Sequence, residues 1–591
     1  KRSGFFFAGA VRLSLQKTAH CFDQLTDRHV KRLACFPNFY FDHTFTCPLA
    51  NGDAERDADQ IAVGKLHPGP FRTVIIQHVK SGLSEFFVPL FSQHALFIAF
   101  RVRRQQMNVK RCDRNRPYKP VLIGELLGDQ ELVGVMHSRA ASYHLAASIC
   151  PEDGDEEQVE AAKKAVARAA ATRLFRETVR VGTPYQLLRG ALIGPAHSSV
   201  LVDAVNSVFV LDELHAYDPR RLGYILAMAR LWERLGGRVA VLSATLPDAL
   251  ADLFRSALNS TVRQVEAGTT DAPRRHRLVL RERHLTDPTT VAEVAGRLDR
   301  GEAVLVVANN VADAQHLFEE LSPRAETAYL LHSRFRRMDR AAIEDDIRRC
   351  FGVGRPRQAG LVVATQVVEV SLDVDFDCLF TSAAPLEALL QRFGRVNRIA
   401  ARPPADVIVH VPAYAPRRKG GEDYADGVYP RPPVEMGWDI LTRHDGKEVD
   451  EGEARVWLDE VYASDWGRRW RKEVDERLTE FEDAFLSFAH PFVDRGDLAE
   501  RFDELFDGTE AVLAQDRDAY EAELEKVDDN RAAGRLLAER YLIPMPHWAT
   551  PLTTWEKRLG VRVVEADYDE RLGLKRVHGP AAQAYRAGEV L

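Results

Sequence analysis

The sequence predicts an α/β protein with parallel sheets covered by helices, laid out in two consecutive blocks and followed by a largely helical tail. Three observations carry this reading. From Val133 onward, stretches rich in Ala, Leu, Arg and Glu alternate with short β-branched runs, the alternation expected of strands and crossover helices. The apolar runs at 207–211, 239–242, 303–307, 329–331, 361–364 and 407–411 are short and continuous, as strands buried on both faces are. These runs form two groups parted by Asp271-Ala272-Pro273-Arg274-Arg275, which has the composition of a linker.

Taken in order, residues 1–130 are basic, rich in Phe, His and Cys, free of Trp and without sustained periodicity. They are left unassigned, as an out-of-frame or disordered stretch. Residues 131–270 read as the first block, 271–415 as the second, and 416–591 as an accessory region that begins in a Pro-, Arg- and Gly-rich stretch. The chain starts on Lys1 rather than Met, so its true start is expected upstream.

With 591 residues, 45% hydrophobic, 28% charged and a net charge of -7, the chain is long enough for several cores. It is not a polybasic nucleic-acid coat, so any strand must be held in a local groove. Its seven cysteines include no CxxC pair, which argues against a disulfide scaffold or a zinc ribbon and fits a reducing cytoplasm. The most apolar stretch, 86–100, is broken by Ser92, Gln93 and His94 and falls short of the roughly 20 residues that span a bilayer. The Phe5-Phe6-Phe7 run imitates a signal peptide, but Arg12 ends it early.

Chemistry concentrates in Val208-Phe209-Val210-Leu211-Asp212-Glu213-Leu214-His215, an apolar strand ending in two carboxylates. At the carboxyl edge of a parallel sheet, where such folds bind ligands, Asp212 would hold Mg²⁺ through water and Glu213 would polarise the attacking water. An acidic strand-to-helix turn capped by Asp would look the same. About thirty residues on, Ser243-Ala244-Thr245 offers hydroxyls that exchange hydrogen bonds readily. Further on, Gln391-Arg392-Phe393-Gly394-Arg395-Val396-Asn397-Arg398 places Arg395 and Arg398 three apart, on one helix face if the helix runs through them. Facing a neighbouring domain, such a pair would steady the charge of a transferring phosphoryl group; a solvated arginine face is the plainer alternative.

The residues around Asp212-Glu213-Leu214-His215 resemble motif II of the DExH-type superfamily 2 helicases. Ser243-Ala244-Thr245 is similar to motif III, residues 365–373 to motif V, and residues 391–398 to motif VI. His197-Ser198-Ser199, Asn206-Ser207, His215-Ala216-Tyr217-Asp218, Leu331-His332-Ser333-Arg334-Phe335 and Asp339-Arg340 narrow the resemblance to the CRISPR-associated helicases of type I systems. It implies two RecA-like domains, the first incomplete, plus a helical C-terminal domain.

The resemblance also implies roles. Asp212, Glu213, His215, Arg395 and Arg398 would serve hydrolysis, with Asp212 on the metal; Ser243, Thr245, Asp373 and Gln391 would face nucleotide. Gly182, Thr183, Gln186, Thr365, Gln366, Glu369 and Ser371 would line the strand. Backbone amides and hydroxyls can grip phosphate oxygens without reading bases, as a translocating motor requires. ATP and Mg²⁺ are the implied cofactors, and single-stranded DNA and a guide-RNA surveillance complex the implied partners, with 3′-to-5′ movement in antiviral interference. The neighbourhood of Met136-His137-Ser138-Arg139-Ala140 resembles motif Ib.

Two parts of that pattern are missing. A GxxxxGK[ST] loop, whose backbone cradles phosphates, is nowhere in the chain; Gly64-Lys65 lacks the upstream glycine and the hydroxyl and reads as a turn. The expectation is a truncated or frame-shifted upstream segment, or an ATPase-inactive strand-binding remnant. His444-Asp445-Gly446-Lys447, the chain's His-Asp pair, has no His-rich companions and reads as an Asp-Gly turn rather than a nuclease site. Trp466-Gly467-Arg468-Arg469-Trp470-Arg471-Lys472 interleaves aromatics and cations as strand grooves do, but helical spacing favours tryptophans packed on a core.

Overall fold

The computed structural model describes residues 73–77, 96–98 and most of 132–578, with 487–508 the longest stretch left out inside that span. Gly64-Lys65 therefore lies outside the described residues. A seven-stranded sheet contains β1 (Thr73–Gln77), β2 (Leu96–Ile98), β3 (Val133–Met136), β4 (Val179–Gly182), β5 (Val208–Asp212), β6 (Arg238–Ser243) and β7 (Val262–Glu266). Its order is β3-β4-β2-β5-β6-β1-β7 and every pairing is parallel. Strands β1 and β2 come from the stretch that the sequence left unassigned.

A second, six-stranded sheet holds β8 (His276–Arg281), β9 (Ala303–Val307), β10 (Ala328–Leu331), β11 (Gly360–Ala364), β12 (Cys378–Ser382) and β13 (Ala405–His410). Its order β10-β11-β9-β12-β13-β8 is again parallel throughout. The central strands β9, β11 and β12 are buried at every position, which is why their sequences read as continuous apolar runs rather than alternating ones. Both sheets thus have the predicted α/β character.

Helix Pro219–Arg234 shows how the first block is held. Asp218 caps it, its side chain accepting from Arg221 N at 3.0 Å with proline at the first position, a favoured helix start. Eleven of its residues are buried, because it lies between the first sheet and helix Asp465–Leu486. Trp232 stacks on Phe209 of β5 with ring centroids 3.8 Å apart.

At Gly223 the two helices nearly touch: a Cβ there would meet Arg477 Cβ at 2.7 Å and the Val474 carbonyl oxygen at 2.7 Å. Gly223→Ala is therefore expected to destabilise the first block by about 1–3 kcal/mol through overpacking, read as a lowered thermal midpoint. A midpoint within a degree of wild type would show that the helices part freely.

The accessory region mixes helices with a small sheet. Helix Ala454–Tyr462 packs Trp457, Leu458 and Val461 on the second block, and helix Asp465–Leu486 packs Trp470, Val474, Leu478 and Phe481 on the first. Trp466 touches both cores, so both tryptophans are core residues. Beyond them stands a four-stranded sheet in the order Leu542–Met545, Thr509–Leu513, Val561–Val564, Thr554–Glu556. Glu510 in that sheet meets Arg139 of the first block at 3.1 Å and Arg337 of the second at 2.6 Å. Among the described residues no helix is long and apolar enough to cross a membrane.

Candidate nucleotide and strand site

The carboxyl ends of β5, β6 and β1 lie side by side in the first sheet. Asp212 ends β5 and is half-buried, Ser243 ends β6 and is buried, and Gln77 of β1 is in register with Ser243. This is the edge at which open parallel sheets take ligands. Glu213, His215 and Thr245 lie outside the described residues, as does the side chain of Ser371.

At the end of β4, Gly182 admits no side chain: a Cβ would come within 2.1 Å of the Met136 carbonyl oxygen on β3. The next residue, Thr183, is exposed just ahead of helix Pro184–Leu192, in which Gln186 is half-buried. The strand candidates of this block therefore sit at one strand end, backbone first.

In the second sheet, Thr365 and Gln366 follow β11. Thr365 is buried and its amide donates to the Leu331 carbonyl at 3.1 Å; Gln366 Nε2 donates to the Asn309 carbonyl at 2.5 Å. Helix Val367–Ser371 comes next. Its Glu369 was expected to touch the strand, but the carboxylate turns inward and accepts from Arg392 Nε at 2.8 Å. Burial pushes the Glu369 carboxyl above its usual range, against the pull of Arg392. Asp373 is half-buried and paired with Arg398 at 3.1 Å.

The 391–398 segment departs from the expected single helix. Helix Leu386–Phe393 stops at Gly394, so Gln391 is its only expected site residue, and Arg395 and Arg398 lie beyond it. Asn397 takes a left-handed backbone, φ 42°, with its amide donating to the carbonyls of Arg275, Arg402 and Pro403. Asparagine tolerates that conformation better than most residues, and the turn ends any helical spacing. Arg395 is 1% exposed and donates to the Leu372 carbonyl at 2.9 Å and to the Glu369 carbonyl. The picture of two guanidiniums presented together on a helix face is thus corrected: Arg395 braces the 369–372 backbone from within its own block.

What the structure brings together is the 365–373 segment and the 391–398 segment, joined by Glu369–Arg392, Arg395 and Asp373–Arg398. Arg392 carries most of this, since it is fully buried and also donates to Thr381 Oγ1 at 2.8 Å, the Ser382 carbonyl at 3.0 Å and Asn309 Oδ1 at 3.1 Å. Sequence reasoning passed over Arg392 and Asn309. The available signal was position, as Asn309 follows the carboxyl end of the buried strand β9.

His444-Asp445 is the turn that was expected. Asp445 Oδ1 accepts from the Leu280 amide on edge strand β8 at 2.8 Å, and Gly446 has φ 74°. Among the described residues, the group of acidic and imidazole side chains spaced for a metal is instead His284, Asp313 and Asp426, with ligand atoms within 4.8 Å of one another. Amides already occupy them: Asn310 Nδ2 donates to Asp313, and Asn309 Nδ2 and the Ala413 amide donate to Asp426. They therefore form a hydrogen-bonded node.

For ATP and Mg²⁺ the fit is one-sided. Asp212 and Ser243 suit the metal side of a nucleotide site. The sequence after β1, beginning His78-Val79-Lys80-Ser81, has neither the glycines nor the Gly-Lys-Ser/Thr that would cradle phosphates.

Residues 300–401 match the family model of the C-terminal part of the CRISPR-associated nuclease/helicase Cas3. The CRISPR-associated nuclease/helicase Cas3 of Methanothermobacter thermautotrophicus is 24% identical over 424 residues, 69% of this chain and 48% of the relative. The chain thus spans about half the length of that relative. The crystal structure of T. fusca Cas3-ATP shares the fold at a TM-score of 0.61 and 19% identity, over 88% of this chain and 67% of that one. A chain of a CRISPR RNA-guided surveillance complex, pre-nicking, does so at 0.54 and 20%, over 84% and 69%. By sequence and by fold, the chain is a relative of the CRISPR-associated helicases of the Cas3 type.

Proposed function

We propose that the chain is the helicase part of an antiviral CRISPR interference protein that, in complete form, uses ATP and Mg²⁺ to translocate on single-stranded DNA. Recruitment by a guide-RNA surveillance complex belongs to the same reading. The observation that carries it is the union of the 365–373 and 391–398 segments through buried Arg392 and Arg395. A motor needs its strand-gripping and nucleotide-sensing segments to move as one piece, and these two cannot shift independently without breaking buried charge contacts.

Phosphate contacts come from Thr183, Gln186, Thr365 and Gln366, with the Gly182 backbone close by, so the grip is indifferent to base sequence. Asp212, Glu213 and His215 belong to the hydrolysis side of this reading with Ser243 and Thr245, and Asp373, Gln391 and Arg398 answer from the second block, with Arg395 holding the 369–372 backbone behind them. A second reading, a strand-holding protein without ATP turnover, is favoured by one observation: the chain contains no GxxxxGK[ST].

Strand binding tests the common ground. In fluorescence anisotropy with a labelled oligothymidine, the chain is expected to bind with an affinity that falls as salt rises. Thr183→Ala is expected to weaken binding about two- to tenfold, the worth of one hydrogen bond. Equal affinity in the variant would remove Thr183 from the strand path, and no binding by the wild-type chain would overturn the reading. Tighter binding to RNA than to DNA would point to an RNA motor instead.

A further inference from the structure

A line of buried polar side chains leads from the 365–371 segment to an insertion outside both sheets. Arg392, held on Glu369, sends Nη2 to Asn309 Oδ1 at 3.1 Å. The other end of the same amide, Asn309 Nδ2, donates to Asp426 Oδ2 at 2.9 Å and to the Ala383 carbonyl at 2.8 Å. The Asn309 carbonyl accepts from Gln366 Nε2.

Asp426 is 1% exposed and lies between strands Asp423–Ala425 and Tyr429–Pro430 of a small antiparallel sheet, with a left-handed backbone at φ 47°. Its Oδ1 accepts from the Ala413 amide at 2.7 Å and meets His284 Nε2 at 3.1 Å. A buried carboxylate on a left-handed backbone costs free energy on two counts, and it persists here because Asn309 Nδ2, the Ala413 amide and His284 Nε2 meet its oxygens, although the Asp313 carboxylate lies close by.

The donor and acceptor sense of this line is fixed at Asn309. A carboxylate and a carbonyl only accept, so Asp426 and the Ala383 carbonyl together oblige Asn309 to point its NH₂ outward and its oxygen toward Arg392, and only that orientation satisfies the guanidinium. We propose that Asp426 is a positioning residue for the 365–371 segment, acting through Asn309 on both Gln366 and Arg392. This rests on the strand-binding reading insofar as that segment touches the strand; the positioning itself does not.

Asp426→Asn keeps its oxygen on the Ala413 amide and His284 and so turns an NH₂ on the Asn309 NH₂; Asn309 then either bears that contact or flips, which sets its oxygen on the Ala383 carbonyl and a donor on Arg392. In hydrogen–deuterium exchange on the full chain, the amides of 365–371 are expected to exchange about three- to tenfold faster in Asp426→Asn, with strand affinity reduced by a similar factor. The double variant Asn309→Asp, Asp426→Asn restores a donor facing an acceptor at the 309–426 and 309–392 links while setting a carboxylate oxygen against the Ala383 carbonyl, and is expected to return both readouts part of the way toward wild type. Unchanged exchange at 365–371 in Asp426→Asn overturns the proposal, as does a double variant no better than the single. Should the wild-type chain bind no strand, the functional reading falls while exchange still decides the positioning. If Asp426→Asn alone does not fold, the double variant decides: exchange at 365–371 within about threefold of wild type supports the proposal, and a second failure to fold ends it.

Discussion

Arg392→Ala is expected to lower the stability of the second block by about 3–5 kcal/mol, the usual cost of removing one partner of a buried ion pair. Four acceptors lose their donor together, namely the Glu369 carboxylate, Thr381 Oγ1, the Ser382 carbonyl and Asn309 Oδ1. Glu369 would be left as an unpaired carboxylate in a site with almost no water. Lysine is expected to recover little, because a point charge cannot reproduce a fork that reaches four acceptors. Replacing both partners, Arg392→Met with Glu369→Leu, should cost far less than Arg392→Ala, since no charge is then stranded. Denaturant unfolding followed by circular dichroism measures all three, and a loss below about 1 kcal/mol in Arg392→Ala would mean that the site is wetter or looser than described.

The second large effect concerns ATP. The chain as given is expected to show no strand-stimulated hydrolysis above background, because its sequence lacks the GxxxxGK[ST] loop that cradles phosphates. Replacing residues 1–132 with the corresponding first-domain segment of a Cas3-type relative that carries GxxxxGK[ST] is expected to raise turnover by about three orders of magnitude or more, the scale on which parts of a phosphoryl-transfer apparatus act. Glu213→Gln should abolish that gain while leaving strand binding in place. Strand-stimulated turnover by the unaltered chain would show that other residues hold the phosphates, and would remove the case for a strand-holding protein without turnover.

Six strands of the two parallel sheets were legible as apolar runs: β5, β6, β9, β11 and β13, buried along nearly their whole length, and β10, buried at its end; β3, β4 and β7 were not. Strand β12, Cys-Leu-Phe-Thr-Ser, was passed over since its polar end serves the Arg392 site. The edge strand β8, His-Arg-Leu-Val-Leu-Arg, hides behind its charges. The place of Asp212 at a strand end could be read because strand and carboxylate are adjacent in sequence. The role of Glu369 could not, as its partner lies 23 residues away on another element. The expected arginine face failed for a local reason, a helix that ends at Gly394 before the pair is reached. The Asp445 turn was legible from Asp-Gly alone.

The path of the backbone has a mechanical meaning. The polypeptide passes from the first block to the second before β8, and returns between Tyr462 and Asp465, where Trp466 is wedged into both cores. Two covalent straps thus join the same pair of bodies, one of them seated on a large aromatic ring. A door hung on two pins swings but does not twist, so opening and closing should follow a single arc about the Trp466 seat, with the Glu510 ion pairs to Arg139 and Arg337 as the latch that must part first.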